Sequence, residues 1–224
     1  MTKAGQNGVQ KQAGSFRDPS GFLFWREETL YRQVNESYRS DYEMLFSSGL
    51  YDKLIKANVL VSHDEEDNAL SPDGNAYKIL KPRMIPFISY PYEWSFGALQ
   101  DAALLTLYLQ KEALAHGMAL KDASAYNVQF DKGQAIFLDT LSFEKHEEGS
   151  PWVAYRQFCQ HFLAPLILMA KVDIRLGQML RLFIDGIPLD LASRLLPWST
   201  WFRFSTLTHV HLHSKSQKKH ASNT

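Results

Sequence analysis

The sequence predicts an α+β fold with a mixed front part and a mainly helical rear part. Alternating apolar and polar residues concentrate before residue 94, whereas apolar residues at helical spacing dominate after it. One stretch of the rear part departs from this trend, because NVQF and AIFL flank the turn residues DKG between positions 127 and 138. That pattern is typical of a β-hairpin inserted among the helices.

The front part follows a polar leader, residues 1–15, which we predict to be disordered. The segment GFLFWREETLYRQV predicts two short strands. Helical spacing over residues 35–58 predicts two helices divided by Ser-Ser-Gly at 47–49. Residues 62–74 are acidic and are predicted to form a solvated loop, whereas YKILKP and IPFISYPYEW are two β-leaning runs.

The rear part is predicted to begin with a long helix. Ser95 is a good N-cap and Gly117 suits the position after the last turn. Leu99, Leu107 and Leu114 lie on its predicted apolar stripe. This helix leads the chain directly into the segment that contains the candidate site.

Further helices are predicted beyond the hairpin. Ser150 followed by Pro151 is typical of a helix start, and Pro165 is expected to end or kink that helix. Another helix is predicted over residues 174–183, and a short amphipathic one ends before Pro197. The chain then turns basic and rich in histidine.

Composition excludes several classes of function. The 224 residues include 24 basic and 24 acidic side chains, so the absence of net charge argues against a nucleic-acid partner or an anionic membrane surface. Cys159 is the single cysteine, which excludes an internal disulfide and a cysteine zinc site and fits a cytoplasmic location. No apolar run approaches the roughly 18 residues of a membrane span, so we predict a soluble protein.

The candidate site lies between residues 117 and 144. Asp122 and Asn127 are separated by four residues on the loop that enters the hairpin, and Asp139 follows the second hairpin strand. We therefore expect all three side chains to converge on one spot. The simpler interpretation is that Asp122 and Asn127 cap turns, as Asp and Asn often do.

This spacing and context resemble protein kinases and their small-molecule relatives. Those enzymes place an Asp and then an Asn on a loop leaving a long helix, with a metal-binding Asp after a hairpin. Phosphoryl transfer needs such a set because Mg²⁺ bridges phosphate oxygens through hard oxygen ligands while another carboxylate orients the attacking hydroxyl. By this resemblance Asn127 and Asp139 hold Mg²⁺, and Asp122 is the catalytic residue that orients a small-molecule acceptor.

The resemblance also implies a protein-kinase-like two-lobed fold, with a small mixed lobe before a helical lobe. A basic residue is needed to hold the phosphates of ATP, and the sequence leaves Arg32, Lys78, Lys81 and Lys121 as candidates. The segment PYEW, which contains Glu93, stands where the hinge between lobes receives adenine. The implied regions are a leader at 1–15, a small lobe at 16–94, a helical lobe at 95–208 and a basic tail at 209–224.

The sequence departs from the kinase pattern at three places. No Gly-rich phosphate loop is present, Leu-Lys stands at 120–121 where kinases have His-Arg, and Thr-Leu follows Asp139 instead of Phe-Gly. Pseudokinases tolerate such changes as readily as small-molecule kinases do. In the tail, His209, His211 and His213 alternate and would share one face of a strand as metal ligands, but a solvated basic tail is the preferred interpretation.

Several long segments also resemble a bacterial family. SGLYDKL, SYPYEWSFGALQDAALLTL, LKDASAYNVQF, IFLDTLSFE, YRQFCQHFLAPL and DGIPLDLASRLLP are similar to the front half of proteins related to the NoeA-type nodulation proteins. That family is described as class I S-adenosylmethionine-dependent methyltransferases, so the resemblance implies a downstream or separate methyltransferase domain as partner. No G-x-G-x-x-G stands between a strand and a helix here, and S-adenosylmethionine is not expected to bind this segment.

Two functions are therefore predicted from the sequence. The first is a kinase-like domain that binds Mg²⁺ and ATP and phosphorylates a small-molecule or sugar-like acceptor. The alternative is a non-catalytic kinase-like module that positions substrate for a methyltransferase. The site residues carry the first prediction, and the family resemblance carries the second.

Overall fold

The computed structural model describes residues 9–12, 18–202 and 206–212, with nothing stated for the side chains of residues 10, 207 and 211. Most of the predicted leader and residues 213–224 of the predicted tail, His213 included, lie outside the described residues. Within the predicted leader, residues 9–11 form a strand. The architecture is a mixed α+β fold with antiparallel sheets.

A five-stranded antiparallel sheet occupies the front part of the described chain, in the order β1-β2-β3-β5-β4. Helices α1 and α2 lie between β3 and β4 in the sequence. The two predicted strands, β2 and β3, are confirmed and pair antiparallel, and the predicted helix pair is confirmed as well. The elements are β1 (Val9–Lys11), β2 (Gly21–Arg26), β3 (Thr29–Asn35), α1 (Arg39–Ser47), α2 (Leu50–Lys56), β4 (His63–Glu66) and β5 (Ala76–Pro82).

Two predictions for the front part were wrong. The acidic stretch 62–74 contains β4, which is an edge strand of the sheet. Charged residues suit an edge because their side chains remain in water and discourage pairing with another chain. The run IPFISYPYEW contains no strand, since Pro86 and Pro91 lack the N–H groups that a sheet ladder requires.

The long helix α3 (Phe96–Ala115) is confirmed with both of its predicted ends. The Ser95 hydroxyl accepts a hydrogen bond from the Ala98 N–H at 3.2 Å. Gly117 has a φ of +72°, a left-handed conformation that favours glycine. The predicted stripe was partly wrong, because Leu107 and Leu114 are exposed; the buried positions are Leu99, Ala102, Ala103, Leu105, Thr106, Leu109, Gln110 and Ala113.

The predicted hairpin consists of β7 (Val128–Asp131) and β8 (Gln134–Phe137), joined by a turn in which Lys132 and Gly133 both have positive φ. A second small sheet pairs β6 (Met118–Leu120) with β9 (Phe143–Lys145). This pairing brings the chain just before Asp122 next to the chain just after Asp139. The three predicted site residues therefore lie at the junction of two strand pairs.

The remaining helices differ in detail from the predictions. The helix expected at Ser150-Pro151 begins at α4 (Tyr155–Phe158), and it continues through a π-helical segment, Cys159–Leu163, into α5 (Ala164–Lys171). Pro165 does not end the helix: it lies just after the π-helical segment, and the Gln160 carbonyl in that segment accepts a hydrogen bond from the Ile187 N–H at 2.9 Å.

The chain beyond α5 contains a 3-10 helix, Ile174–Arg181, and then α6 (Leu189–Leu195). Residues Leu207–Leu212 form a π-helical turn, so His209 does not lie on a strand. In the described ranges, no helix combines the length and the apolar character that crossing a membrane requires.

Candidate functional site

A cleft of about 660 Å³ lies between the five-stranded sheet and the segments that enter and leave the hairpin. The structure brings Asp122, Asn127 and Asp139 together in the lining of this cleft, as the spacing predicted. Arg32, one of the four basic candidates, lies on the same cleft from the sheet side. The rest of the lining is largely apolar: Leu23, Trp25, Leu30, Val61, Leu80, Pro82, Met84, Ile85, Ile88 and Leu138.

The Asp139 carboxylate is held on both oxygens. Its Oδ1 lies 2.8 Å from Arg32 Nη1 and accepts a hydrogen bond from the Leu141 N–H at 3.0 Å. Its Oδ2 accepts a hydrogen bond from the Ser142 hydroxyl at 2.6 Å. These contacts form as the chain leaves β8 in a 3-10 turn, Thr140–Ser142, which Asp139 caps. The orientation of this carboxylate is therefore fixed by the fold.

Asn127 reaches Asp139 through a shared partner. Its Nδ2 lies 3.3 Å from the Ser142 hydroxyl, the group that also bonds Asp139. Its backbone carbonyl accepts a hydrogen bond from the Leu138 N–H at 2.7 Å, just beyond the hairpin ladder. The hairpin therefore determines how close Asn127 and Asp139 lie.

Asp122 is held more loosely than Asp139. Its Oδ1 accepts a hydrogen bond from the Ser124 N–H at 2.9 Å. Among the described residues, the Asp122 side chain makes this single hydrogen bond. The predicted alternative of a turn-capping residue describes this contact correctly. The carboxylate is half-buried at the cleft and bonds no other side chain in the residues that the structure describes.

The backbone around Asp122 is nevertheless well anchored. Gln157 Oε1 accepts a hydrogen bond from the Ala123 N–H at 2.7 Å. Gln110 Oε1 accepts one from the Leu120 N–H, and Trp152 Nε1 donates one to the Leu120 carbonyl, each at 2.7 Å. Three side chains from α3, α4 and the segment before α4 thus fix the loop and leave the Asp122 side chain half-buried at the cleft.

Arg32 faces two carboxylates across the cleft. Its Nη1 pairs with Asp139, and its Nη2 lies 3.3 Å from Asp18 Oδ2. The Arg32 side chain is 17% exposed. The Nε atom is buried without a hydrogen-bond partner among the described residues. A buried guanidinium N–H without a partner is unfavourable, so the two carboxylates are what hold this guanidinium in place.

A histidine also lies on the sheet side of the cleft. His63 Nδ1 and Nε2 each lie 3.3 Å from a tyrosine hydroxyl, those of Tyr51 and Tyr42. The Tyr42 hydroxyl donates a hydrogen bond to Glu65, so it must accept one from Nε2–H. Burial lowers the pKa of His63 to about 4 and keeps the ring neutral at pH 7.

The other predicted binding residues lie outside the lining of the cleft. Lys121 Nζ donates a hydrogen bond to the Ser20 hydroxyl at 2.6 Å, and Lys78 pairs with Glu65. Lys81 is exposed on β5, and Glu93 Oε2 accepts a hydrogen bond from the Tyr90 N–H at 2.7 Å. Part of the apolar lining comes from Met84, Ile85 and Ile88, just before the predicted PYEW segment.

Sequence reasoning missed Asp18, His63 and Ser142. Asp18 belongs to the turn-like sequence DPSG at 18–21, and His63 to the stretch 62–74 that was predicted to be a solvated loop. Ser142 follows Asp139 by three residues in the sequence. An Asp that caps a short turn often accepts hydrogen bonds from groups two or three residues further along. That spacing was the available signal for Ser142.

The donor groups of the cleft are oxygens rather than soft ligands. In the described residues, no group of three or more His, Cys, Asp or Glu side chains is arranged to hold a metal ion. A carboxylate and an amide at Asp139 and Asn127 instead provide a small set of hard oxygen ligands. Mg²⁺ is commonly bound in this way, with few protein ligands and the remainder from water and phosphate.

Comparison with known proteins gives one clear similarity. No protein-family profile matches the chain. The nodulation protein NoeA of Rhizobium meliloti (strain 1021) is 34% identical over 214 residues, a range that covers 95% of this chain and 44% of that protein. The chain thus spans less than half the length of this relative. The similarity confirms the predicted resemblance to NoeA-type nodulation proteins.

Proposed function

We propose that the cleft binds a Mg²⁺–nucleotide and that the chain has a kinase-like two-lobed fold. The observation that carries the proposal is the convergence of Asp122, Asn127 and Asp139 with Arg32 on one cleft. Two hard oxygen ligands, one free carboxylate and one guanidinium are the groups that phosphoryl transfer requires. The acceptor that fits the proposal is a small, hydroxyl-bearing or sugar-like molecule.

The order of the elements supports this proposal. A sheet whose third and fourth strands are separated by helices precedes a long helix, a loop and a hairpin, which is the order expected for kinase relatives. Arg32 lies on the third strand, where protein kinases carry the lysine that holds phosphates. Arginine serves the same purpose because its planar guanidinium binds phosphate oxygens in pairs.

The residues present fit Mg²⁺ and nucleotide. Asp139 and Asn127 would hold the metal, whose positive charge would favour binding of the phosphates. The Arg32 guanidinium in the lining supplies positive charge at this end of the cleft. The apolar wall, which includes Leu80, Ile85 and Leu138, suits a flat base.

The proposed roles follow from the contacts of each side chain. Arg32, held at the cleft by Asp18 and Asp139, orients phosphate. Asp122, with its accessible carboxylate, accepts a hydrogen bond from the acceptor hydroxyl and takes its proton during transfer. The anchored backbone of the Asp122 loop keeps this carboxylate at a fixed distance from Asp139.

Thermal unfolding with and without Mg-ATP tests the proposal. At ligand concentrations near 100 times Kd the folded state gains about 2.7 kcal/mol, so the wild-type Tm rises. Asp139→Ala should show no rise above its own ligand-free Tm, while the surface control Glu36→Ala should respond as wild type. A wild-type Tm that Mg-ATP leaves unchanged contradicts nucleotide binding.

The alternative is a non-catalytic kinase-like module that positions substrate for a methyltransferase. Exposed aromatic residues favour it, because Trp198 and Phe202 are 76% and 79% exposed and pack edge to face at 5.5 Å. Such aromatic pairs are enriched where proteins bind partners. On this alternative Asp122→Ala leaves function intact, whereas Trp198→Ala with Phe202→Ala abolishes association with the methyltransferase.

A further inference from the structure

Ser142 lies between the two proposed metal ligands and is fully buried. Its hydroxyl oxygen is 2.6 Å from Asp139 Oδ2 and 3.3 Å from Asn127 Nδ2. We propose that Ser142 is a positioning residue that orients both side chains toward the cation of a bound Mg²⁺–nucleotide. This inference rests on the proposed function and adds a residue that the kinase resemblance does not supply.

The placement of hydrogens makes the role of Ser142 specific. An ionised carboxylate only accepts hydrogen bonds, so the Ser142 hydroxyl proton points toward Asp139. The hydroxyl lone pairs then face Asn127, and the atom of Asn127 that approaches them must be the NH₂ group. The amide oxygen of Asn127 is consequently turned away from Ser142 and is left for another partner. A hydroxyl at this position selects the amide orientation that presents oxygen to a cation.

The backbone of Ser142 is held as firmly as its side chain. Its N–H donates to the Asp139 carbonyl at 3.2 Å, and its carbonyl accepts a hydrogen bond from the Lys121 N–H at 2.9 Å. The second contact joins Ser142 to the residue before Asp122. One buried residue therefore contacts the segments that carry all three site residues.

Outer-shell partners of this kind tune the affinity of a metal site. Removing a hydrogen bond that orients a ligand costs typically 10- to 100-fold in metal affinity, although the ligands themselves are unchanged. A hydroxyl that merely stabilised the turn would lower the Tm and leave metal affinity intact. Metal affinity at constant nucleotide therefore separates the two roles.

The test uses Mn²⁺ as the spectroscopic substitute for Mg²⁺, titrated into protein saturated with ADP and followed by electron paramagnetic resonance. For Ser142→Ala we expect Mn²⁺ affinity to fall by about 10- to 100-fold. Affinity for ADP without metal should remain at the wild-type value. The matched control is Thr106→Val, which removes a buried hydroxyl of α3 that bonds the Ala102 carbonyl; its Mn²⁺ affinity should equal that of wild type.

Ser142→Cys provides a second variant of nearly the same volume if Ser142→Ala fails to fold. A thiol is a weak donor, so the same loss of Mn²⁺ affinity is expected. Wild-type Mn²⁺ affinity in either folded variant overturns the positioning role of Ser142. Failure of the wild-type protein to take up Mn²⁺ with ADP overturns the proposed function, and the role of Ser142 with it.

Discussion

The two acidic sides of the cleft differ in how their carboxylates are held. On one side, Asp139 is bonded by Arg32, Ser142 and the backbone of its own turn. On the other side, Asp122 has a single hydrogen bond, from the Ser124 N–H, in the described chain. The Asp139 carboxylate is therefore part of the framework of the fold, because it joins several segments of the chain. The Asp122 carboxylate is not, because other residues hold the backbone of its loop.

This difference indicates which carboxylate suits a metal ligand and which suits a hydrogen-bond acceptor for an incoming hydroxyl. A carboxylate whose two oxygens are both occupied holds a constant orientation, which a metal ligand requires. A carboxylate with free lone pairs can accept a hydrogen bond from an incoming hydroxyl. The contrast therefore predicts that substitutions on the two sides separate stability from function.

Asp139→Ala should cause the largest loss of stability. It leaves the Arg32 guanidinium, which is 17% exposed, without its closest carboxylate and removes the bonds to Ser142 and Leu141. Removing one partner of a largely buried ion pair costs about 3 kcal/mol or more. Urea unfolding at pH 7.5 measures this loss as a difference in the free energy of unfolding.

The matched control for Asp139→Ala is Glu36→Ala, because Glu36 forms an ion pair with Arg39 that is largely exposed. An exposed pair contributes about 0 to 1 kcal/mol, so the control should remain close to wild type. Equal losses in the two variants would contradict the view that Asp139 is part of the framework. The double variant Arg32→Met with Asp139→Ala should recover part of the loss, since no unpaired guanidinium remains.

Much of this framework could be predicted from local sequence. The Ser95 cap, the Lys132-Gly133 turn and the alternation around it determine their elements through contacts within a few residues. The convergence of Asp122, Asn127 and Asp139 followed from the hairpin alone. Local chemistry was sufficient wherever the deciding partner was close in the sequence.

The contacts that distinguish the two sides were not available from local patterns. Arg32 meets Asp139 from the opposite wall, and the four basic candidates could not be ranked without that contact. Tyr38 is another example, because its buried hydroxyl bonds the carbonyls of Thr140 and Phe143 across more than 100 residues of chain. Strand β4 was missed for the same reason, since an edge strand depends on its neighbour in the sheet.

Stability should also depend on pH, through the buried His161 near the Asp122 side of the cleft. This histidine is buried beneath Tyr126, which lines the cleft, and its Nδ1 has no hydrogen-bond partner in the described residues. Burial lowers its pKa to about 4, against a weaker opposing effect of Asp185. Between pH 6.5 and pH 4 the unfolded chain binds a proton that the folded chain does not, so stability falls as pH falls.

The expected contribution of His161 is about 3 kcal/mol between pH 7 and pH 4. In His161→Leu the free energy of unfolding should fall less steeply over this range, with no change in slope above pH 7. His63, whose pKa is also lowered to about 4 by burial, retains its share in that variant. Urea unfolding at pH 7.5, 5.5 and 4 measures the slopes, and identical slopes in variant and wild type would rule out this contribution.

Asp122→Ala should have the smallest effect on stability, and that small effect is what makes it informative. The substitution removes one hydrogen bond to the Ser124 N–H, while Gln157 continues to hold the Ala123 N–H and the loop keeps its backbone. We expect a loss below about 1 kcal/mol, because a single hydrogen bond at a partly exposed position contributes about that much.

The Tm increase of Asp122→Ala with Mg-ATP should match that of wild type, since Asp139 and Asn127 are unchanged. Phosphoryl transfer, followed by release of ADP with candidate acceptors, should be lost. A large loss of stability in Asp122→Ala would mean that both carboxylates belong to the framework, and the contrast between the two sides of the cleft would disappear.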